Sequence, residues 1–191
     1  MPKYAILVPM LLLGAGCASS PTRVGQSPPP PGGCAAMAGT GQGACPTGAA
    51  VAAPAAAELS DATRDALLAA LADERRARAF YLAVLERHGR VMPFANIVNA
   101  EARHAQLVAD LLTARGCEAP ADTATFPASE VPDTIAACCD AAAQAEIDNM
   151  ALYDELLPTL NDDGVRQVFL QLQWASRERH LPAFQRFASR E

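Results

Sequence analysis

In the stretch NAEARHAQLV, Asn99 to Val108, a carboxylate and an imidazole stand three residues apart, where the apolar stripe of a helix should run. Burying Glu101 or His104 there costs several kcal/mol unless each is paired or ligated. Residues three apart share a helix face, so a carboxylate oxygen and an imidazole nitrogen can reach one ion. Glu74, Glu146 and His180 interrupt three other apolar stripes in the same way. Mixed oxygen and nitrogen donors suit iron or manganese, with zinc a further candidate.

The elements that must position these side chains read as four helices. The first spans roughly Ser60 to His88, with Leu67, Leu71, Tyr81 and Leu85 at helical spacing and Gly89 as the stop. The second runs from about Pro93 to Arg115, with Phe94, Ile97, Val98, Val108, Leu111 and Leu112 on one side. The third begins near Val131-Pro132-Asp133 and carries Ile135, Cys139, Ala142, Asn149, Tyr153, Leu156 and Leu160. The fourth follows Asn161-Asp162-Asp163-Gly164 and carries Val165, Phe169, Leu172, Ser176, Phe184 and Phe187, with Pro182 a candidate kink. Short turns join the first two and the last two, so each pair should be antiparallel. The stretch CEAPADTATFPASE between the second and third can travel on the order of 45 Å at a little over 3 Å per residue, a whole helix length. An all-α, ferritin-like four-helix bundle with a long crossover is the expected fold.

The heights of the five residues agree. Glu74 lies 15 residues before Gly89, with Glu101 and His104 at 12 and 15 after it, while Glu146 and His180 each lie 17 from Asp163. At 1.5 Å rise per residue all five fall within one layer about a turn thick. The halves also echo each other: Glu74 precedes Tyr81 by seven residues, as Glu146 precedes Tyr153, and Arg103-His104 matches Arg179-His180. A Glu from each of two helices plus Glu-x-x-His from the other two is the ligand set of ferritin-like di-iron and di-manganese proteins.

Helix four departs from that set, because Arg177 stands three residues before His180 and Glu178 lies about 200° around the helix from it. Two divalent ions against three carboxylates and Arg177 leave about +2, a costly burial, whereas one divalent ion leaves zero. One ion is therefore expected, with the Arg177 guanidinium near the position of a second. Around the ligands Glu74, Glu101, His104, Glu146 and His180, the expected supporting residues are Arg177, Arg78, Tyr81 and Tyr153, the tyrosines as core aromatics with a bonded hydroxyl. The competing reading is a metal-free polar layer: Arg78 pairs with Glu74 at i,i+4 and Arg177 satisfies Glu146 or Glu101. His88 fits a partner for the helix dipole at a C-terminus, and the run ERRAR a solvated face around Glu74.

The span from about Leu59 to Phe187 resembles a ferritin-like family of prokaryotic envelope proteins, domain of unknown function 2202. The stretches LADERRARAFY, FANIVNAEARHAQLV, AEIDNMALYDEL and ASRERHLPAF carry the resemblance. It implies the ferritin-like fold over all four helices and leaves the activity unassigned.

The remainder of the 191 residues sets the context. Residues 1–17, MPKYAILVPMLLLGAGC, have one positive charge, an apolar run and a terminal cysteine, the pattern of a secretory signal. It resembles a bacterial lipoprotein signal, which implies acylation of Cys17 and a membrane anchor in the cell envelope, facing the periplasm or the cell surface. Gly14 stands where such signals usually have leucine, and cleavage after Ala18 by the ordinary secretory route is the alternative. Residues 18–57 are rich in Pro, Gly and Ala and read as a disordered tether, leaving 58–191 for the folded domain. An oxidising compartment allows Cys117 to bridge to Cys138 or Cys139. The net charge of −6 and the absence of a basic run argue against nucleic acid. Two function classes follow: an envelope protein of metal-dependent redox or metal handling (ferrous oxidation, peroxide removal, metal binding), or a metal-free helical scaffold for a partner. Oligomeric state is not encoded in these features.

Overall fold

The computed structural model describes residues 59–189, which are helical with no strand. The signal, Cys17 and the whole of the tether lie outside these residues. Helix α1 spans Asp61–His88, α2 Phe94–Ala114, α3 Ile135–Leu156, α4 Asp163–Ala175 and α5 Leu181–Ala188. A π-helical turn, Ser176–His180, joins α4 to α5, so the last three pieces form one long broken rod. None of these helices is long and apolar enough to cross a membrane.

Local chemistry sets the ends. Ser60, Thr134 and Asp162 cap α1, α3 and α4, each accepting a hydrogen bond from an otherwise orphaned N–H of the first turn. Gly89 ends α1 at φ +77°, a conformation that strains any residue with a Cβ. Helix α3 stops at Leu156 instead of reaching Leu160, because Pro158 turns Leu157–Thr159 into a short 3-10 segment.

The topology follows from the long-range contacts. Helix α1 packs most extensively on α2, and α3 on α5. The start of α1 meets the start of α4, where Asn161 Oδ1 accepts from Thr63 Oγ1 at 2.7 Å. The end of α2 meets the same place, where Arg115 grips Asp162 through two bonds of 2.7 and 2.8 Å. The segment between α2 and α3 then travels back along α1. Arg75 donates to the carbonyls of Pro120 and Ala121, Arg78 pairs with Asp122, Phe126 packs on Phe80 at 4.8 Å, and Arg87 donates to Val131 O. The segment is thus a crossover pinned to α1, and α3 starts beside the end of α1, antiparallel to it. This corrects two expectations. Arg75 and Arg78 bind the crossover as well as facing solvent, and Arg78 serves the crossover at 3.4 Å from Asp122 instead of supporting Glu74.

Two apolar blocks fill the interior. One contains Leu67, Leu71, Val108, Leu112, Tyr153, Val165, Phe169 and Leu172. The other contains Phe80, Tyr81, Val84, Phe94, Ile97, Val98, Cys138, Cys139, Ala142 and Phe184. Each fully buried Leu or Phe contributes about 1.5–3 kcal/mol, which offsets the cost of the polar layer between the blocks. The expected bridge is not formed. Cys117 packs against the first block, whereas Cys138 and Cys139 lie in the second, at the other end of the helices.

Candidate metal centre

Between the two blocks, every rod contributes a buried polar group: Glu74 from α1, Glu101 from α2, Glu146 and Asn149 from α3, and Ser176 and His180 from the π turn. In α1, Glu74 sits on the inward face between Leu71 and Tyr81. In α2, Glu101 and His104 sit between Val98 and Val108 on the same stripe. The side chains converge. His104 Nδ1 lies 3.2 Å from Glu101 Oε2 and 3.3 Å from Glu74 Oε2. His180 Nδ1 lies 3.0 Å from Glu101 Oε1 and 3.5 Å from Glu146 Oε2. Glu101 therefore spans the two imidazoles, which stack with ring centroids 5.4 Å apart. All five residues picked out by their heights meet in one layer.

The two tyrosines hold the outer carboxylates in place. Tyr153 donates to Glu74 Oε1 and Tyr81 to Glu146 Oε1, both at 2.7 Å. In each case one oxygen is latched and the other faces a histidine. Two buried atoms remain unsatisfied, Glu101 Oε1 and His180 Nδ1. They are 3.0 Å apart, yet their alignment does not make a hydrogen bond. Buried polar atoms left this way are rare, and atoms that serve as ion ligands are one such case. One donor atom each from Glu101, His104 and His180 falls within 4.8 Å of the others, a spacing that can hold a metal ion.

The electrostatics of the layer follow from burial and proximity. Burial pushes Glu74 up to about 7, helped by Glu101, against the pull of His104. Burial also acts to raise Glu101, but His104 and His180 beside it bring it below the usual carboxylate range. For the imidazoles burial acts downward and loses. Glu101 and Glu74 raise His104 to about 9, and Glu101 and Glu146 raise His180 to about 10. Burial first, then the adjacent carboxylates, puts both tyrosine hydroxyls well above their ordinary range. Three carboxylates so close together demand positive charge, from protons or from an ion.

Arg177 does not supply it. The guanidinium expected beside the site is exposed to solvent. The cause is the π turn: Leu181 N–H bonds the Ser176 carbonyl five residues back, and Pro182 has no N–H to close the next turn. In an α-helix the positions three and four before His180 would both share its face; the wider i→i+5 turn keeps Ser176 facing inward and carries Arg177 outward. Ser176 faces the layer and donates to Asn149 Oδ1 at 2.8 Å. Asn149 in turn donates to Asp73 Oδ2 at 2.7 Å. Sequence reading placed Ser176 and Asn149 on the core stripes without giving them a part here, and the phase change that Pro182 announces is the signal that could have done so. His88, at the end of α1, bonds the Pro132 carbonyl at 2.9 Å, away from the layer.

No family model matches the chain, and no curated protein matches it. Among solved structures, hypothetical protein MJ0754 from Methanococcus jannaschii is similar in fold, with a TM-score of 0.60 at 20% identity. The match covers 68% of this chain and 81% of that one.

Proposed function

We propose that the protein is a ferritin-like four-helix bundle that holds one non-haem metal ion, iron or manganese, in the layer formed by Glu74, Glu101, His104, Glu146 and His180. The observation that carries this reading is the unsatisfied pair Glu101 Oε1 and His180 Nδ1 inside a set of five converging donors. One ion is favoured because both imidazoles approach the same carboxylate, and because Ser176 and Asn149 fill the place where a second ion would need its own carboxylate. With Arg177 outside, the charge argument changes. Three carboxylates balance one trivalent ion, whereas a divalent one leaves a single negative charge, and imidazoles are neutral ligands.

The donor set fits iron or manganese by hardness, with zinc as the d¹⁰ alternative. A redox-active ion here would supply one-electron chemistry toward oxygen or peroxide, the class of ferrous oxidation and peroxide removal. The chain itself orients the ligands through Tyr81 and Tyr153 and excludes bulk water with two apolar blocks. The N-terminal stretch supports export and lipid anchoring at Cys17, which would place this chemistry in the bacterial cell envelope. The resemblance of its four helical stretches to the domain of unknown function 2202 family supports the ferritin-like fold of this reading and not its chemistry.

A second reading has its own observation. With His104 and His180 raised to about 9 and 10, two imidazolium ions balance two carboxylates and a protonated Glu74 completes a neutral, metal-free layer. The protein is then an exported helical scaffold for a partner. Metal content of the purified protein, together with oxygen consumption on adding ferrous iron, separates the two. Bound iron or manganese lost in His104→Ala supports the first. Absence of metal, with melting unchanged by chelator, supports the second.

A further inference from the structure

An ion bound in this layer must first get there. Glu74, Glu101, Glu146 and His180 are each 5% exposed or less, so a hydrated cation cannot reach them directly. Two side chains link the layer to solvent: His104, 17% exposed, and one carboxylate. The Asp73 side chain is 17% exposed, paired with the half-exposed Arg76, and bonded by Asn149 Nδ2. The same Asn149 nitrogen lies 3.5 Å from Glu74 Oε1, so one amide bridges the outer and inner carboxylates.

Next to it the helices leave room. A cavity of about 10 Å³, enough for one water-sized occupant, is lined by Ala77, Tyr81, Glu101, Ala145, Glu146 and Asn149. It lies where α1 and α3 face each other through alanines. Both Ala77 and Ala145 are only half-buried, so the cavity sits close to the surface. Glu101, whose Oε1 has no hydrogen-bond partner, forms its inner wall. A mostly buried carboxylate, a bridging amide and an unsatisfied inner oxygen thus lie in sequence between α1 and α3.

We propose that a divalent cation enters the layer between α1 and α3, held in transit by Asp73 and passed beside Asn149 into the cavity bounded by Glu101 and Glu146. This rests on the metal-binding reading above. Arg76 competes with the cation for Asp73 and restrains its entry. Asp73 is a transit ligand only, so it governs the rate of loading and not the final occupancy.

The test is stopped-flow uptake of cobalt(II) by chelator-stripped full-length protein, followed by the cobalt ligand-field absorption, with metal content measured at equilibrium. Asp73→Asn keeps the shape and the Asn149 bond but removes the charge. It should slow uptake about ten-fold and flatten its dependence on ionic strength, as loss of electrostatic focusing does. Arg76→Ala should speed uptake by a similar factor. Both should reach the wild-type stoichiometry. Wild-type rates in both variants overturn the proposal and point to access elsewhere, such as beside His104. A wild-type protein that takes up no cobalt overturns the metal reading itself, and the route with it.

Discussion

Tyr153 donates a 2.7 Å hydrogen bond to Glu74 across 79 residues of sequence, and Tyr81 does the same for Glu146 across 65. Each half of the chain thus latches a carboxylate of the other. Residues that orient metal ligands typically contribute 10–100-fold to affinity. Tyr153→Phe and Tyr81→Phe should each weaken metal binding by about that factor while leaving helicity intact. Competition titration against a chromophoric chelator measures it. Unchanged affinity in both variants would mean that the hydroxyls only satisfy a structural network.

The π turn makes a prediction for Arg177 that an unbroken helix would reverse. Arg177 is exposed and Ser176 faces the layer, so Arg177→Glu should leave metal stoichiometry unchanged. Ser176→Glu places a carboxylate in the fourth position and should raise the capacity toward two ions per chain. A gain in Arg177→Glu would show that the rod is α-helical through this stretch.

How much of this could be read from residue order depends on the kind of signal. Glu74, Glu101, His104, Glu146 and His180 stand out because each breaks an apolar stripe, and counting residues from the turns puts them level. That arithmetic survives small errors in helix ends. The disposition of Arg177 does not, since one extra residue in a turn rotates a side chain out of the layer. Arg75 and Arg78 were opaque for a different reason. Their partners are Pro120, Ala121 and Asp122 in a segment without periodicity, and no local pattern says which helix such a segment follows. The cysteines show the same limit, because pairing requires the distance between helix ends and not the count of thiols.

The crossover yields a comparison of magnitudes. Arg78 pairs with Asp122 at 3.4 Å with both side chains 38% exposed, and an exposed pair of this kind contributes about 0–1 kcal/mol. Phe126 packs its ring on Phe80 at 4.8 Å, and losing a partly buried aromatic costs about 2 kcal/mol. Phe126→Ala should therefore lower the unfolding free energy more than Arg78→Ala, by denaturant titration. The reverse order would make the arginine ladder the dominant clasp.

The pH dependence of the metal-free protein follows from the raised values in the layer. Glu74, raised to about 7, and His104 and His180, raised to about 9 and 10, all bind protons more tightly folded than unfolded. Each contributes stability that is complete below its unfolded value and lost as pH rises through its folded one. Melting of chelator-treated protein should fall from about pH 5 to 7 as Glu74 ionises, and should go on falling from about pH 6.5 up to 9 for His104 and 10 for His180. Bound metal replaces those protons, so the loaded protein should lose less over the same range. A metal-free stability that rises steadily from pH 5 to 10 would contradict the charge assignment of the layer.

The central claim is that the unsatisfied atoms of Glu101 and His180 face an ion. Elemental analysis of the purified wild-type protein beside Glu101→Ala and His180→Ala tests it most directly. The account predicts one iron or manganese per wild-type chain and little in either variant, with the helical spectrum retained in both. Wild-type protein without metal, which takes up none on reconstitution and melts identically with and without chelator, would contradict it.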